Sequence, residues 1–440
     1  MFLFRARTPG ARKLIAGVAL ALSGAASATA QPADAAGVAA ASLTLGQAVE
    51  RALASNPALA GFAFALKAQD ARIGQAGQRP ATEASFELEN VLGSGDFGGL
   101  DAAEGTFALS QVIELGGKRD ARGAAAQSGR ELLAVERQVA QLDVLAEVTR
   151  RFVAVAAAQE QLALAREGAT LARGTVDDVA LRVRAAKSPE AELLRSRAAL
   201  SRDLLEVQRA EAELGAARQA LSATWGSARP DYSRVQADLY RMPALADFEA
   251  LAARLDANPD FLRFATVARL RDAESRLART LRRPDLEVSG GVRRLEETKD
   301  QALVMGISVP LFASRRAEPA IAEADALRAL ADVERDAARL EARTRLYGLY
   351  QQLRQAIRET DTLRGDVLPQ LDKALGATRY AYERGRYGYL ELVDAQAAFL
   401  EARGAAIASA TTAQQLLAEI ERLTGEPLAD APAANALEKP

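Results

Sequence analysis

Two hydrophobic periods alternate along the chain. In residues 84–92, Phe86 and Leu88 alternate with Ser85, Glu87 and Glu89. A period of two with both classes present predicts a strand with one apolar and one wet face. A glycine-rich turn at 93–101 leads to a second strand at 104–112, where Phe107 and Leu109 oppose Thr106, Ala108 and Ser110. Beyond Lys118 the period becomes helical. Leu132, Val135, Val139, Leu142, Leu145, Val148, Phe152 and Val155 advance in steps of three and four, a coiled-coil-like seam. This predicts a helix of roughly 50 residues, about 75 Å long, that turns at Glu167-Gly168. A return helix follows over 171–223, disturbed at Lys187-Ser188-Pro189 because proline cannot donate its backbone bond. Upstream, helices are predicted over 43–54, with Thr44 as N-cap, and over 58–77. Asn56-Pro57 separates them and Pro80 ends the second.

The same plan recurs roughly 200 positions later, the signature of an internal repeat. Asn258-Pro259 answers Asn56-Pro57, and Arg283-Pro284 answers Arg79-Pro80. Strands at 285–294 and 301–309 answer the first pair, with Leu286, Val288, Leu303, Met305 and Ile307 as their apolar rows. A second helix of similar length is predicted from 314 to a turn at Arg364-Gly365-Asp366. Pro369 is expected to open its return helix, which is disturbed at Gly385-Arg386-Tyr387-Gly388. The strand-helix junctions fall at Pro80, Gly116-Gly117, Pro284 and Pro310. The domain expectation is a leader over 1–30, a first repeat over 31–226, a second over 227–426, and a flexible tail over 427–440.

Two hairpins leave open edges, and closure is compulsory in lipid, where an unpaired backbone group finds no water. Four strands are too few for a membrane barrel of eight or more, so chains must pool them: two copies supply eight and three supply twelve. Strands of roughly nine residues suit a tilted crossing. The helices are too polar for lipid. The expected fold is mainly α with a membrane β-barrel standing on a helical tube.

Composition narrows the chemistry. Basic and acidic residues nearly balance, 56 against 58, so nothing favours nucleic acid. The chain has no histidine and no cysteine, which removes imidazole bases, thiolate nucleophiles and the commonest soft metal ligands. No convergent catalytic set can be assembled, and no cofactor or metal site is expected. At the N-terminus, Arg5, Arg7, Arg12 and Lys13 precede an apolar core at 14–22, and Ala28-Thr29-Ala30 fits a cleavage site. This predicts a secretory signal removed near Ala30. No cysteine follows for lipidation.

Ser110-Gln111-Val112-Ile113-Glu114-Leu115-Gly116-Gly117-Lys118-Arg119, Pro310-Leu311-Phe312, Tyr382-Glu383-Arg384-Gly385 and Leu390-Glu391-Leu392-Val393-Asp394-Ala395-Gln396 make the chain resemble outer-membrane efflux proteins of the TolC family over about residues 43–426. Glu114-Leu115-Gly116-Gly117-Lys118-Arg119 is similar to the heavy-metal-efflux branch of the CzcC type. The resemblance implies a homotrimer with a twelve-stranded barrel and a periplasmic α-helical tunnel. It also implies a periplasmic adaptor and an inner-membrane RND pump as partners, with the protein as the passive exit duct. Phe86, Leu88, Phe107, Leu109, Leu286, Val288, Leu303, Met305 and Ile307 would then face outer-membrane lipid. The pump-side tip would lie at Glu167, Gly168, Arg364, Gly365 and Asp366, with Asp361 and Asp366 forming a carboxylate ring selective for cations.

Other readings carry less. Gly93-Ser94-Gly95-Asp96-Phe97-Gly98 matches a dinucleotide fingerprint, but that site needs a helix next and a strand follows. Glu87 and Glu89 read as a wet pore wall. Tyr380, Tyr382, Tyr387 and Tyr389 read as packing around a broken helix in a mid-length belt. The alternatives are a drug or organic-compound channel of the same family, a soluble periplasmic coiled-coil protein, or an exported enzyme.

Overall fold

The computed structural model describes residues 42–426. The expected leader, the cleavage site near Ala30 and the tail at 427–440 lie outside the described residues. The chain opens with a short strand β1 (Ser42–Leu43), then α1 (Leu45–Ser55) and α2 (Pro57–Ala76). Thr44 caps α1 in a reciprocal capping box with Gln47. Asn56 caps α2 by accepting from the amides of Ala58 and Leu59, with Pro57 at the first helical position, where its missing donor costs nothing. The strand pair β2 (Thr82–Glu89) and β3 (Glu104–Ile113) follows, then α3 (Lys118–Arg184) and α4 (Glu190–Ala223). The same order of elements occurs again. A short strand β4 (Arg234–Val235), parallel to β1, precedes α5 (Phe248–Arg254) and α6 (Pro259–Thr280). Then come β5 (Leu286–Leu295), β6 (Gln301–Ser308), α7 (Ala313–Thr362), α8 (Leu368–Glu383) and α9 (Tyr389–Thr424). Asn258 repeats the Asn56 device, capping α6 and donating to the carbonyls of Arg422 and Leu423.

The structure corrects the helix lengths. α3 runs 67 residues without a break, about 100 Å at 1.5 Å per residue. Glu167 and Gly168 lie inside it. Residues 363–367 form one turn of π-helix between α7 and α8, with helical backbone on both sides. Arg364, Gly365 and Asp366 therefore lie within a helix that continues to Glu383, and Pro369 does not open a return helix. A proline ring clashes with the carbonyl four residues before it, here that of Gly365. A wide turn at this point relieves the clash without ending the helix.

The turns fall instead at residues 185–189 and 384–388. Ala186 and Gly385 take matching left-handed conformations there, φ 55° and 73°. The two turns stand together. Arg182 Nη1 donates to the Tyr382 carbonyl at 2.7 Å, and Val179, Tyr382, Tyr389 and Leu392 form a buried cluster. The tyrosines thus belong to this end of the molecule, not to a mid-length belt, and Tyr380 and Tyr387 are exposed.

The main core sits about midway along α3. Val148, Phe152, Val155 and Leu162 pack on α1, on Leu214 and Leu221 of α4, and on Tyr232 and Leu239 of the connecting segment. A second core joins α5 to α7 and α9 through Leu251, Leu346, Leu353, Leu417 and Ile420. No helix among the described residues is long and apolar enough to cross a membrane.

Candidate functional site

The four longer strands form one antiparallel sheet in the order β2-β3-β5-β6. Its register decides which side chains share a face, because opposite residues point the same way. Phe86 stands opposite Phe107, and Phe107 opposite Val292. Val292 stands opposite Leu303, and Val288 opposite Ile307. Leu88 and Leu109 share the strand face of Phe86 and Phe107, Leu286 that of Val288, and Met305 that of Ile307. All nine apolar residues singled out from the sequence therefore lie on a single face. Leu303, Met305 and Ile307 are open to solvent, Met305 by 84 %. Leu286 and Val288 are partly covered.

The opposite face carries Glu83, Ser85, Glu87, Glu89, Glu104, Thr106, Ser110, Glu287, Ser289 and Arg293. Near the loop end, Arg293 bridges Glu89 at 3.1 Å and Glu104 at 2.9 Å, and its Nε donates to Thr106. Glu83, Glu87 and Glu287 have no ion-pair partner among the described residues. The face is acidic on balance, and Glu87 and Glu89 stand on it as the alternation requires.

At the other end of the strands the chain enters the long helices. Gly116 and Gly117 take φ of 80° and 74°, conformations that side chains resist. Gly116 also lies under Arg283, whose Cδ would stand 2.8 Å from an added Cβ. The Pro80 carbonyl accepts from Gln111 Nε2 at 2.8 Å, which ties the start of β2 to the end of β3. Glu114 pairs with Arg122, raising the Arg122 pKa. Pro284 leads into Asp285, which accepts from both the Leu115 amide and Lys118 Nζ. The second junction differs. Pro310 and Leu311 lead to Phe312, which caps α7 at φ 61° and is 78 % exposed.

The residues expected at the pump-side tip are not brought together at either turn. Glu167 pairs with Arg403. Gly168 is buried, and a Cβ there would touch Leu400 at 3.4 Å. Arg364 stacks on Tyr240 with its guanidinium 4.0 Å from the ring centre. Asp361 and Asp366 are exposed on the α7–α8 helix. The turns and the last turn of α3 carry Arg182, Arg184, Lys187, Arg384 and Arg386, a basic set that the sequence does not show as a group although Lys187, Arg384 and Arg386 stand in stretches quoted above. Arg182 stacks on Tyr382 at 4.6 Å and Arg384 on Tyr380 at 4.3 Å. Burial pushes the Tyr382 hydroxyl pKa up. Among the described residues, no group of three or more carboxylates is placed to hold a metal ion.

A sheet with one apolar face, mounted on helices of about 100 Å, defines the class of a TolC-like channel subunit. The model of the outer membrane efflux protein family matches residues 251–426. The chain is 31 % identical to the cobalt-zinc-cadmium resistance protein CzcC of Cupriavidus metallidurans, over 87 % of this chain and 90 % of that protein. It is 29 % identical to the nickel and cobalt resistance protein CnrC of the same organism, over 66 % and 71 %. Among solved structures, the outer membrane protein VceC of Vibrio cholerae matches with a TM-score of 0.68 and 16 % identity, over 88 % of this chain and 97 % of that one. CusC, whose structures describe transmembrane channel formation, matches with a TM-score of 0.66 and 16 % identity, over 88 % and 93 %. The chain belongs to the outer membrane efflux protein family. Its relatives are efflux proteins, not enzymes.

Proposed function

We propose that the protein is the outer-membrane exit duct of a tripartite efflux system driven by an RND pump, and that its cargo is divalent heavy-metal cations. The observation that carries the duct is the sheet. One face is apolar and open, the other is acidic, and both edges are unpaired. Three copies supply twelve strands, enough to close a barrel with the apolar rows toward lipid and the carboxylates toward water. The two halves, residues 31–226 and 227–426, act as quasi-equivalent staves of this wall. The long helices then form a tube below it, and the paired turns at 185–189 and 384–388 point toward the adaptor and pump in the periplasm. The leader at 1–30 delivers the chain across the inner membrane.

The metal cargo rests on the likeness to CzcC across most of the chain. A wall without histidine or cysteine suits this role, since a duct must release what enters it and soft ligands would retain zinc or cobalt. Selection then lies with the pump and adaptor.

The test is complementation. A host lacking this protein but keeping its pump and adaptor should lose tolerance to zinc, cobalt or cadmium and regain it with the intact gene. Restored tolerance to organic compounds with none to metals would favour the drug-channel alternative. Recovery of the protein in the soluble fraction without detergent would reject the duct.

A further inference from the structure

We infer that the strand-helix end of the sheet carries an arginine collar that binds the phosphate headgroups of anionic lipid, in the leaflet on the side of the long helices. This rests on the membrane barrel proposed above and adds a lipid preference to it. The antiparallel register puts the start of β2, the end of β3, the start of β5 and the end of β6 at one end of the sheet. Arg79, Arg282, Arg283, Arg315 and Arg316 flank these strand ends. All five are exposed, and none has an ion-pair partner among the described residues. Arg283 lies over Gly116. The Arg282 carbonyl accepts from Ser314 Oγ at 3.3 Å, which sets the segment before β5 beside the start of α7. Nearby acids do not answer these charges. Glu114, Asp120 and Asp285 pair with Arg122, Arg119 and Lys118. Glu83 and Glu287 are free but stand on the wet face of the sheet, which leaves Glu318 against five arginines.

The charge pattern has a direction. At the loop end of the same sheet, Arg293 is held by Glu89 and Glu104, and Arg294 by Glu296. Asp96, Asp101, Glu297 and Asp300 outnumber Lys299 there. One rim of the apolar band is therefore basic and the other acidic. Val309, Leu311 and Phe312 carry the apolar row past the end of β6, all three exposed. The step from apolar to basic falls between Phe312 and Arg315, as a bilayer passes from acyl chain to headgroup, and an aromatic ring suits that boundary. α7 also starts with arginines and has no acidic residue in its first turn. The helix dipole disfavours that arrangement, and phosphates facing the arginines would offset it. The guanidinium fork matches phosphate geometry, and clustered basic groups at a membrane surface attract anionic headgroups.

The test uses the full protein reconstituted in phosphatidylcholine vesicles, with spin-labelled phosphatidylglycerol or phosphatidylcholine as the probe. The motionally restricted fraction reports lipid at the protein surface. Wild type should prefer phosphatidylglycerol. Arg282→Gln/Arg315→Gln/Arg316→Gln should cut the preference by about fivefold or more, since each basic group near a surface contributes a factor of about five. Arg282→Lys/Arg315→Lys/Arg316→Lys keeps the charge and should keep the preference, as should Arg294→Gln/Lys299→Gln at the acidic rim. Salt at about 1 M, where the Debye length is about 3 Å, should remove it. Equal association of both probes with wild type would overturn the collar, and so would an unchanged preference in the glutamine triple variant. Loss of the preference to inorganic phosphate at equal ionic strength would also overturn it, in favour of a soluble-anion site. The wild-type preference and its salt dependence decide the matter even where the glutamine variant fails to insert. Wild type that enters vesicles without preferring either probe rejects the collar and leaves the barrel standing, and wild type that enters no vesicle rejects both.

Discussion

Lys118 and Asp285 lie 167 positions apart and meet at 2.7 Å, the Lys118 side chain only 10 % exposed. The pair locks the start of the first long helix to the start of β5. Asp285 also accepts from the Leu115 amide, so one carboxylate holds two groups at a corner where the chain changes from strand to helix. Asp285→Ala leaves a nearly buried ammonium without its partner. Breaking a fully buried pair costs about 3–5 kcal/mol. Asp285 keeps one third of its surface in water, so about 2 kcal/mol is expected. Thermal unfolding of the extracted protein would check it, and an unchanged midpoint would show that the corner is held by backbone pairing alone.

The face assignment predicts opposite outcomes for neighbours on one strand. Met305→Arg puts a charge on the apolar row, where the cost near the bilayer midplane is roughly 2–4 kcal/mol. Val304→Arg puts it on the wet face beside Gly291, its strand partner. Membrane-inserted protein should fall sharply for the first variant and little for the second. Equal yields would mean that the two faces are exchanged or that neither meets lipid.

The strands were legible because alternation needs no tertiary information: Phe86, Leu88, Phe107 and Leu109 declare a face wherever the strand is placed. The asparagine-proline caps were legible for the same local reason. The turns of the long helices were not. Gly168 looked like a break, yet a helical glycine costs only about 1 kcal/mol against alanine, and packing on Leu400 overrides that. The true turns fall where Lys187-Ser188-Pro189 and Gly385-Arg386-Tyr387-Gly388 mark a disturbance in the sequence, but Ala186 is an ordinary residue in a left-handed conformation, so the break reads as a kink in a return helix and not as the reversal. Pro369 suggested a helix start, and a single π-turn absorbed it instead. With the turns displaced, the proposed ring of Asp361 and Asp366 lost its place.

Glycines separate into two classes by their surroundings. Gly116→Ala adds a Cβ to a left-handed residue and drives it to 2.8 Å from Arg283. The conformation alone costs about 1–2 kcal/mol, and Arg283 must also move. Gly174 lies inside α3 with nothing within 4 Å, so Gly174→Ala should stabilise by about 0.5–1 kcal/mol. Denaturant midpoints moving in opposite directions would support this reading; movement in the same direction would contradict it.

Acid should weaken the middle of the molecule through Glu147. Its pKa is lowered, first by the hydrogen bond from Arg150 and then by Arg151. A lowered folded-state pKa means that the contribution is fully present above the unfolded carboxylate value near 4.3. It is lost as pH falls through the lower folded value. Glu147→Gln should therefore melt below wild type at pH 7, and the gap should narrow as the solution is acidified toward pH 3. A gap that is constant with pH would assign the effect to packing instead.

In the barrel proposed above, the acidic face of the sheet predicts an ion preference. Glu83, Glu87 and Glu287 lack ion-pair partners among the described residues, whereas Glu89 and Glu104 share Arg293, which offsets one of their two charges. Three copies would line a water-filled barrel with nine uncompensated carboxylates, and a low-dielectric wall focuses their field on the axis. In planar bilayers under a salt gradient, the wild-type reversal potential should show cation preference. Glu83→Gln/Glu87→Gln/Glu287→Gln should move it toward zero, with assembly retained because exposed polar substitutions of this kind change stability little. The preference should rise as ionic strength falls, since the Debye length grows from about 10 Å at 0.1 M salt to about 30 Å at 0.01 M. Asp361→Asn/Asp366→Asn serves as the contrasting variant on the α7–α8 helix. Selectivity lost there and kept in the glutamate triple variant would place the filter in the helical tube rather than in the sheet.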